Sequence, residues 1–268
     1  MKHMHFNSSC SYTALAMLLE EKGINTEDTD IALEIGLPWI FDKTEESFIT
    51  GPNLQGAEWF DIYLNPRGFK MIEEYVEKED VPDYLVKRGN CMLGIRLPGN
   101  KGKHAIVFYR YDGSFYFYNP VRAGSVETTE IVFSKEELLQ SLDQKTMVGR
   151  LAECTKIQPD MQQILKKSVS VLRKNLDAVI EFCETVHEPG EYKETMDKLF
   201  RSIFLDGISM LEIAGENELA EDFRKLQKEY LQFLRGDMST ALADTISLDT
   251  LRECVEKYIK LIAKRMSG

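Results

Sequence analysis

A cysteine nucleophile needs a lowered pKa, a base that holds its proton, and a group that orients the base. One residue of this 268-residue chain fits each role. Cys10 stands at the head of an apolar-periodic segment in "NSSCSYTALAMLLEEKG", the first turn of a predicted helix. There the unpaired N–H groups and the positive end of the dipole favour a thiolate. Of the four histidines, His3 and His5 precede that helix, His187 lies in a helical C-terminal region, and His104 opens a predicted strand. His104 is therefore the candidate base, and Asn119, ending the next strand, is the candidate orienting group. Taken singly, each has a plainer explanation: a small buried cysteine, a strand-end histidine, an Asn-Pro strand terminator. The constellation carries the reading.

The elements that must position these residues follow from pattern. Ser8 or Ser9 caps a helix with Ala14, Leu15, Leu18 and Leu19 on one face and Gly23 as its stop. The stretch 25–56, holding Trp39, Phe41, Phe48 and the "TGPN" turn, reads as a packed loop or lid. "AEWFDIYLNPRG" predicts a helix ending near Asn65-Pro66, and "VPDYLVKRG" a short one with Pro82 in its first turn. Strands are predicted at 91–97, 104–111 and 114–120, with a further strand at 128–134 and a capped helix after Ser134.

Asp112-Gly113 between two strands is a hairpin signal. A two-residue loop places Tyr111 opposite Ser114, Ile106 opposite Asn119 and His104 opposite Val121. Side chains alternate along a strand, so His104 and Asn119 then share a face, within side-chain reach on the diagonal. A three-residue loop would send Asn119 to the other face.

From about Gln158 the texture becomes helical. Leu165, Val169, Leu172, Leu176, Val179, Cys183 and Val186 form one apolar stripe, ended by Pro189-Gly190. Three more helices carry Met196, Phe200, Ile203 and Gly207; Leu219, Phe223, Leu226, Tyr230 and Phe233; and Leu251, Val255, Tyr258 and Ile262. The expectation is an α+β domain over 1–154 and an all-α bundle of about four helices over 155–268. Glu184 and His187 make one Glu-x-x-His without a second copy, so no metal or other cofactor is expected.

"SSCSYTALAMLLEEKG" at 8–23 and "HAIVFYRYDGSFYFYNP" at 104–120 together resemble the papain-like cysteine proteases in their compact, peptidase-C39-like form. The likeness covers roughly residues 1–154. The first segment, with "EIGLPWIFD" at 34–42 and "FITGPN" at 48–53, is also similar to the N-terminal domain of the butirosin-biosynthesis acyltransferase family. The resemblance implies a papain-like fold with an antiparallel sheet and a Cys10–His104–Asn119 triad doing thiol acyl chemistry. C39-like peptidases carry a glutamine about six residues before the cysteine to help form the oxyanion hole, and Met4 stands in that place. His5 and Asn7 are the nearby donors, as oxyanion or substrate contacts or simply as helix caps, and Ser11 follows the cysteine where the group often has glycine.

A net charge of −11 argues against nucleic-acid and anionic-membrane binding. No apolar run is long enough to span a bilayer and no signal-peptide h-region opens the chain, which predicts a cytoplasmic location. Five cysteines, odd in number and never in a CxxC pair, predict reduced thiols rather than a disulfide framework, with Cys91, Cys154, Cys183 and Cys254 in the core. The expected activity is thiol-dependent acyl transfer or amide hydrolysis on a peptide or acyl-thioester substrate, the latter carried on a carrier protein. The bundle would position that donor or form a homodimer. The competing expectation is a catalytically silent binding domain of the same fold.

Overall fold

The segment after Ser9 is a helix, α1 (Cys10–Glu20), and every residue from Ser11 to Leu19 in it is buried. A helix apolar on nearly all sides must be surrounded, and α1 is an internal helix packed on a sheet. Gly23, at φ +78°, turns the chain while the Ile24 N–H donates to Leu19 O, so the stop falls where glycine predicts it. The structure, a computed structural model, describes residues 2–97, 102–236 and 238–267. It is an α+β protein whose chain divides into two units, one of residues 1–35 and 55–159, the other of residues 36–54 and 160–268.

In the first unit a six-stranded antiparallel sheet runs in the order 69–77, 145–153, 91–95, 104–111, 115–118, 130–133. Ile106, Phe108, Phe115 and Phe117 join Leu85, Leu93 and Leu138 in one buried cluster. Four more helices accompany the sheet: α2 (Asp28–Glu34), α3 (Ala57–Leu64), α4 (Val81–Arg88) and α5 (Lys135–Ser141). The helix at α2 and the nine-residue pair Phe69–Glu77 with Lys145–Glu153 are absent from the sequence reading. That pair carries little apolar alternation: along 69–77 only Met71 is buried.

The hairpin differs instructively from expectation. Tyr111 pairs with Phe115, so the loop has three residues, 112–114, and only Gly113 takes positive φ. On its own this would turn Asn119 away from His104. A β-bulge at Tyr109 shifts the register back, so that Phe108 faces Phe117 and Val107 faces Tyr118, the pairing a two-residue loop would give. The bulged Tyr109 stacks on Tyr118 with ring centroids 4.1 Å apart and donates its hydroxyl to Glu130. Beyond Asn119-Pro120, Val121–Arg122 pairs in parallel with His3–Met4.

The second unit is built on α6 (Met161–Cys183), whose N-cap Asp160 accepts from the Gln163 N–H. Helix α7 (Pro189–Thr195) continues through two widened π-helical stretches, 196–200 and 202–207, into α8 (Ile208–Ile213). At Gly207 an added Cβ would lie 2.8 Å from Ser202 O, so the wide turn closes only around glycine. α9 (Asn217–Arg235) and α10 (Leu248–Ser267) complete it. The stripe residues of α9 and α10 are all buried, whereas Val186 lies past the end of α6 and is 61% exposed.

Residues 36–54 belong to this helical unit, not to the N-terminal unit in which 1–154 would place them. Their side chains explain why. Trp39, Phe41 and Phe48 are buried in the helical core, the Tyr258 hydroxyl donates to Pro38 O, and the Phe41 N–H donates to Ser168 Oγ at 3.1 Å. What reads as a loop is a short hairpin, Phe41–Lys43 with Phe48–Thr50, flanked by single 3₁₀ turns. The boundary after the sheet falls at 159/160 rather than 154/155.

Candidate active site

Cys10 is the first residue of α1, and the helix packs against the strand opened by His104. The Cys10 thiol and the His104 ring interact, each shifting the other's titration. The other face of the imidazole is fixed independently: His104 Nε2 lies 2.7 Å from Asn119 Oδ1. Which way Asn119 points is settled by its second bond, because its Nδ2 donates to Thr128 O at 2.7 Å while its backbone N–H donates to Thr129 O. Oδ1 must then accept from Nε2–H. The proton on Nε2 leaves Nδ1 to face the sulfur, the tautomer that can take the thiol's proton. Asn119 is 4% exposed, so water does not compete for this bond.

Electrostatics follow from these contacts. Burial pushes the Cys10 thiol up, but the bond to His104, the Ala105 N–H, the imidazole's charge and the Ser11 N–H together outweigh it and bring the thiol below its ordinary range. For His104, burial acts downward and is outweighed by the bond to Cys10, that residue's charge, Asn119 and the charge of Glu127, so its pKa is raised. Shifts in these opposite directions favour a thiolate–imidazolium pair. The buried thiols show the contrast: desolvation pushes Cys91 and Cys254 up to about 11 and Cys183 up to about 12. Cys154 is half-buried beside Asn65.

The loop before Cys10 hangs on Asp28, a residue the sequence reading passed over. Fully buried, its carboxylate accepts from the His5 N–H at 2.9 Å, Ser9 Oγ at 2.7 Å, Thr13 Oγ1 at 3.3 Å and its neighbour Thr29 N–H at 2.8 Å, and His5 Nδ1 lies 2.6 Å away. Ser9 caps α1 without a side-chain bond to the helix, because its hydroxyl is turned to Asp28 and Phe6 O. Ser8 holds φ +59°, the left-handed region, among the described residues the one non-glycine to do so. No sequence signal marks a buried acid of this kind; its partners in "HFNSSCSYT" are ordinary hydroxyls until the loop is folded.

His5 and Asn7 are brought near in sequence but not into the cavity beside the sulfur. His5 leans on Asp28 and is 43% exposed at its side chain, and Asn7 is exposed in the turn. Met4 sits in the two-residue strand beside Arg122. Among the described residues, no group of three or more His, Cys, Asp or Glu side chains is arranged to hold a metal ion. His187 stacks on Phe182 and pairs with Glu191. No described helix is long and apolar enough to cross a membrane. In comparisons with protein-family models and with curated proteins nothing matches this chain, so the reading of its site rests on the geometry above.

Proposed function

We propose that this chain is a cysteine-dependent acyl-transfer enzyme built on a papain-like, C39-like unit, working in the cytoplasm as part of peptide or secondary-metabolite biosynthesis. The observation that supports it is Cys10 at a helix N-terminus, electrostatically coupled to a His104 ring that Asn119 hydrogen-bonds. Cys10 attacks a carbonyl as the thiolate, forming a tetrahedral oxyanion beside the first N–H groups of α1. His104, held by Asn119, then gives its proton to the leaving group, and the acyl-enzyme passes its acyl group to an amine or to water. Met4 in place of a glutamine favours an activated substrate such as a thioester over an amide, since thioesters need less oxyanion stabilisation. The helical unit, with the 36–54 hairpin in its core, is suited to recognising a carrier protein or a second copy of the chain.

The test is the thiol. Iodoacetamide at neutral pH should modify Cys10 well ahead of Cys91, Cys154, Cys183 and Cys254, and Cys10→Ala should abolish turnover of acyl thioesters. Equal labelling of Cys10 and Cys154 would instead favour the silent binding domain.

A further inference from the structure

Beside the sulfur lies a cavity of about 150 Å³. Its inner wall is formed by Phe60, Met71 and Met92, all buried, with Met147 at the edge. The bare backbone of Gly149 closes it, and a Cβ there would come within 3.0 Å of both Met71 Sδ and Met92 Cγ. Methionine walls adapt to flexible chains rather than to one rigid shape. Two charged residues at the rim are already engaged: Glu73 accepts from the Ala57 N–H at 2.8 Å, and Lys103 pairs with Asp143 at 2.5 Å. Inside, the contrast is Ser11. It lines the cavity, is 3% exposed, and its Oγ has no hydrogen-bond partner. A buried hydroxyl without a partner is costly, and a ligand that supplies one relieves the cost.

We infer that this cavity is an acyl pocket: it takes a short aliphatic acyl group of about four to six carbons that carries a hydrogen-bonding substituent near its carbonyl, which Ser11 reads. The inference rests on Cys10 being the nucleophile. Volume sets the length, because an apolar cavity of this size admits about one benzene-sized group. Chain neighbourhood sets the position of the polar group, because Ser11 adjoins the residue that holds the carbonyl. In the acylation step the Cys10 sulfur bonds to the thioester carbonyl carbon, the bond from that carbon to the donor sulfur breaks, and protonated His104 gives its proton to the departing thiolate. The acyl chain stays in the pocket.

The experiment follows the mass of acylated Cys10 in the full chain, using N-acetylcysteamine thioesters of butanoate, 3-hydroxybutanoate, hexanoate and dodecanoate. Butanoyl and hexanoyl groups should load at least about tenfold faster than dodecanoyl, and 3-hydroxybutanoyl several-fold faster than butanoyl. Ser11→Ala should bring the last ratio to one, and Met71→Ala should raise dodecanoyl loading relative to hexanoyl. Rates independent of chain length, or a hydroxyl preference that survives Ser11→Ala, overturn the pocket. If no thioester loads while iodoacetamide still modifies Cys10 selectively, the pocket inference fails and the nucleophile stands. Loss of both reactions overturns the two together.

Discussion

Removing His104 is the sharpest perturbation of the site, because it separates the contributions that hold the Cys10 thiol below its usual range. An ordinary thiol with a pKa of about 8.5 is roughly 0.3% ionised at pH 6, and its alkylation rate rises about tenfold per pH unit until near that value. Each unit by which a thiol's pKa falls gains up to tenfold in thiolate at pH 6 but loses about threefold in intrinsic nucleophilicity, a net gain of about threefold per unit. Cys10 should therefore alkylate faster than a free thiol at pH 6 and show a flattened profile towards pH 8. In His104→Ala the bond and the charge go while burial and the two backbone N–H groups remain. Burial, which raises the pKa, then dominates. The profile should regain its tenfold-per-unit slope, with labelling at pH 6 falling below that of a free thiol. The assay is iodoacetamide labelling read by peptide mass from pH 5.5 to 9, with half-buried Cys154 as internal reference. A wild-type Cys10 profile with the slope of a free thiol, or one unchanged by His104→Ala, would refute the reasoning.

Other perturbations give independent checks. Asn119→Ala removes the bond that fixes the His104 tautomer; a charge-assisted hydrogen bond is worth about 1.5–3 kcal/mol, so acylation of Cys10 by a thioester should slow about ten- to 150-fold. Asp28→Ala takes the acceptor from the His5 N–H, leaves Ser9 Oγ and Thr13 Oγ1 only their backbone acceptors and frees the loop before Cys10, and chemical denaturation should register a loss of about 3 kcal/mol. Burial raises the Asp206 carboxyl to about 6, outweighing Arg201 and Asn53 beside it. Because its folded pKa exceeds the unfolded value, its contribution is complete below pH ~4 and is lost as pH rises towards 6 and beyond. The stability of Asp206→Asn relative to wild type should thus climb by about 3 kcal/mol between pH 4 and 7, measured by denaturant titration at each pH. Tyr258→Phe deletes the buried bond to Pro38 O and should cost about 1 kcal/mol.

The three candidate site residues were legible because each sits at a punctuation mark: Cys10 at a helix start, His104 at a strand start, Asn119 before a proline. Apolar periodicity likewise announced α1, α6, α9 and α10, whose stripes are buried apart from half-buried Val169 and exposed Val186 of the first long stripe. The bulge at Tyr109 was not legible, since nothing local in "HAIVFYRYDG" distinguishes a two-residue turn from a three-residue turn with a compensating slip. The arrangement of His104 and Asn119 came out as the shorter turn would give it, by a different route. The strands at 69–77 and 145–153 went unread because their charged, weakly alternating sequences draw their stability from pairing with each other. Asp28 and the hairpin at 36–54 depend on partners distant in sequence, and only the folded chain supplies them.

That the hairpin at 36–54 lies in the helical core also orders events in time. A ribosome delivers Trp39, Phe41 and Phe48 about a hundred residues before the first turn of α6, and Tyr258, whose ring meets two of them, comes almost last. Until α6 is made, three large aromatic side chains wait without their partners while the sheet-bearing unit is being made around them in sequence. A nascent chain stalled between Gln55 and the start of α6 would display that aromatic segment, a natural landing point for chaperones. The same order explains why no single cut yields both units whole: excising the helical unit means joining 54 to 160, not trimming a tail.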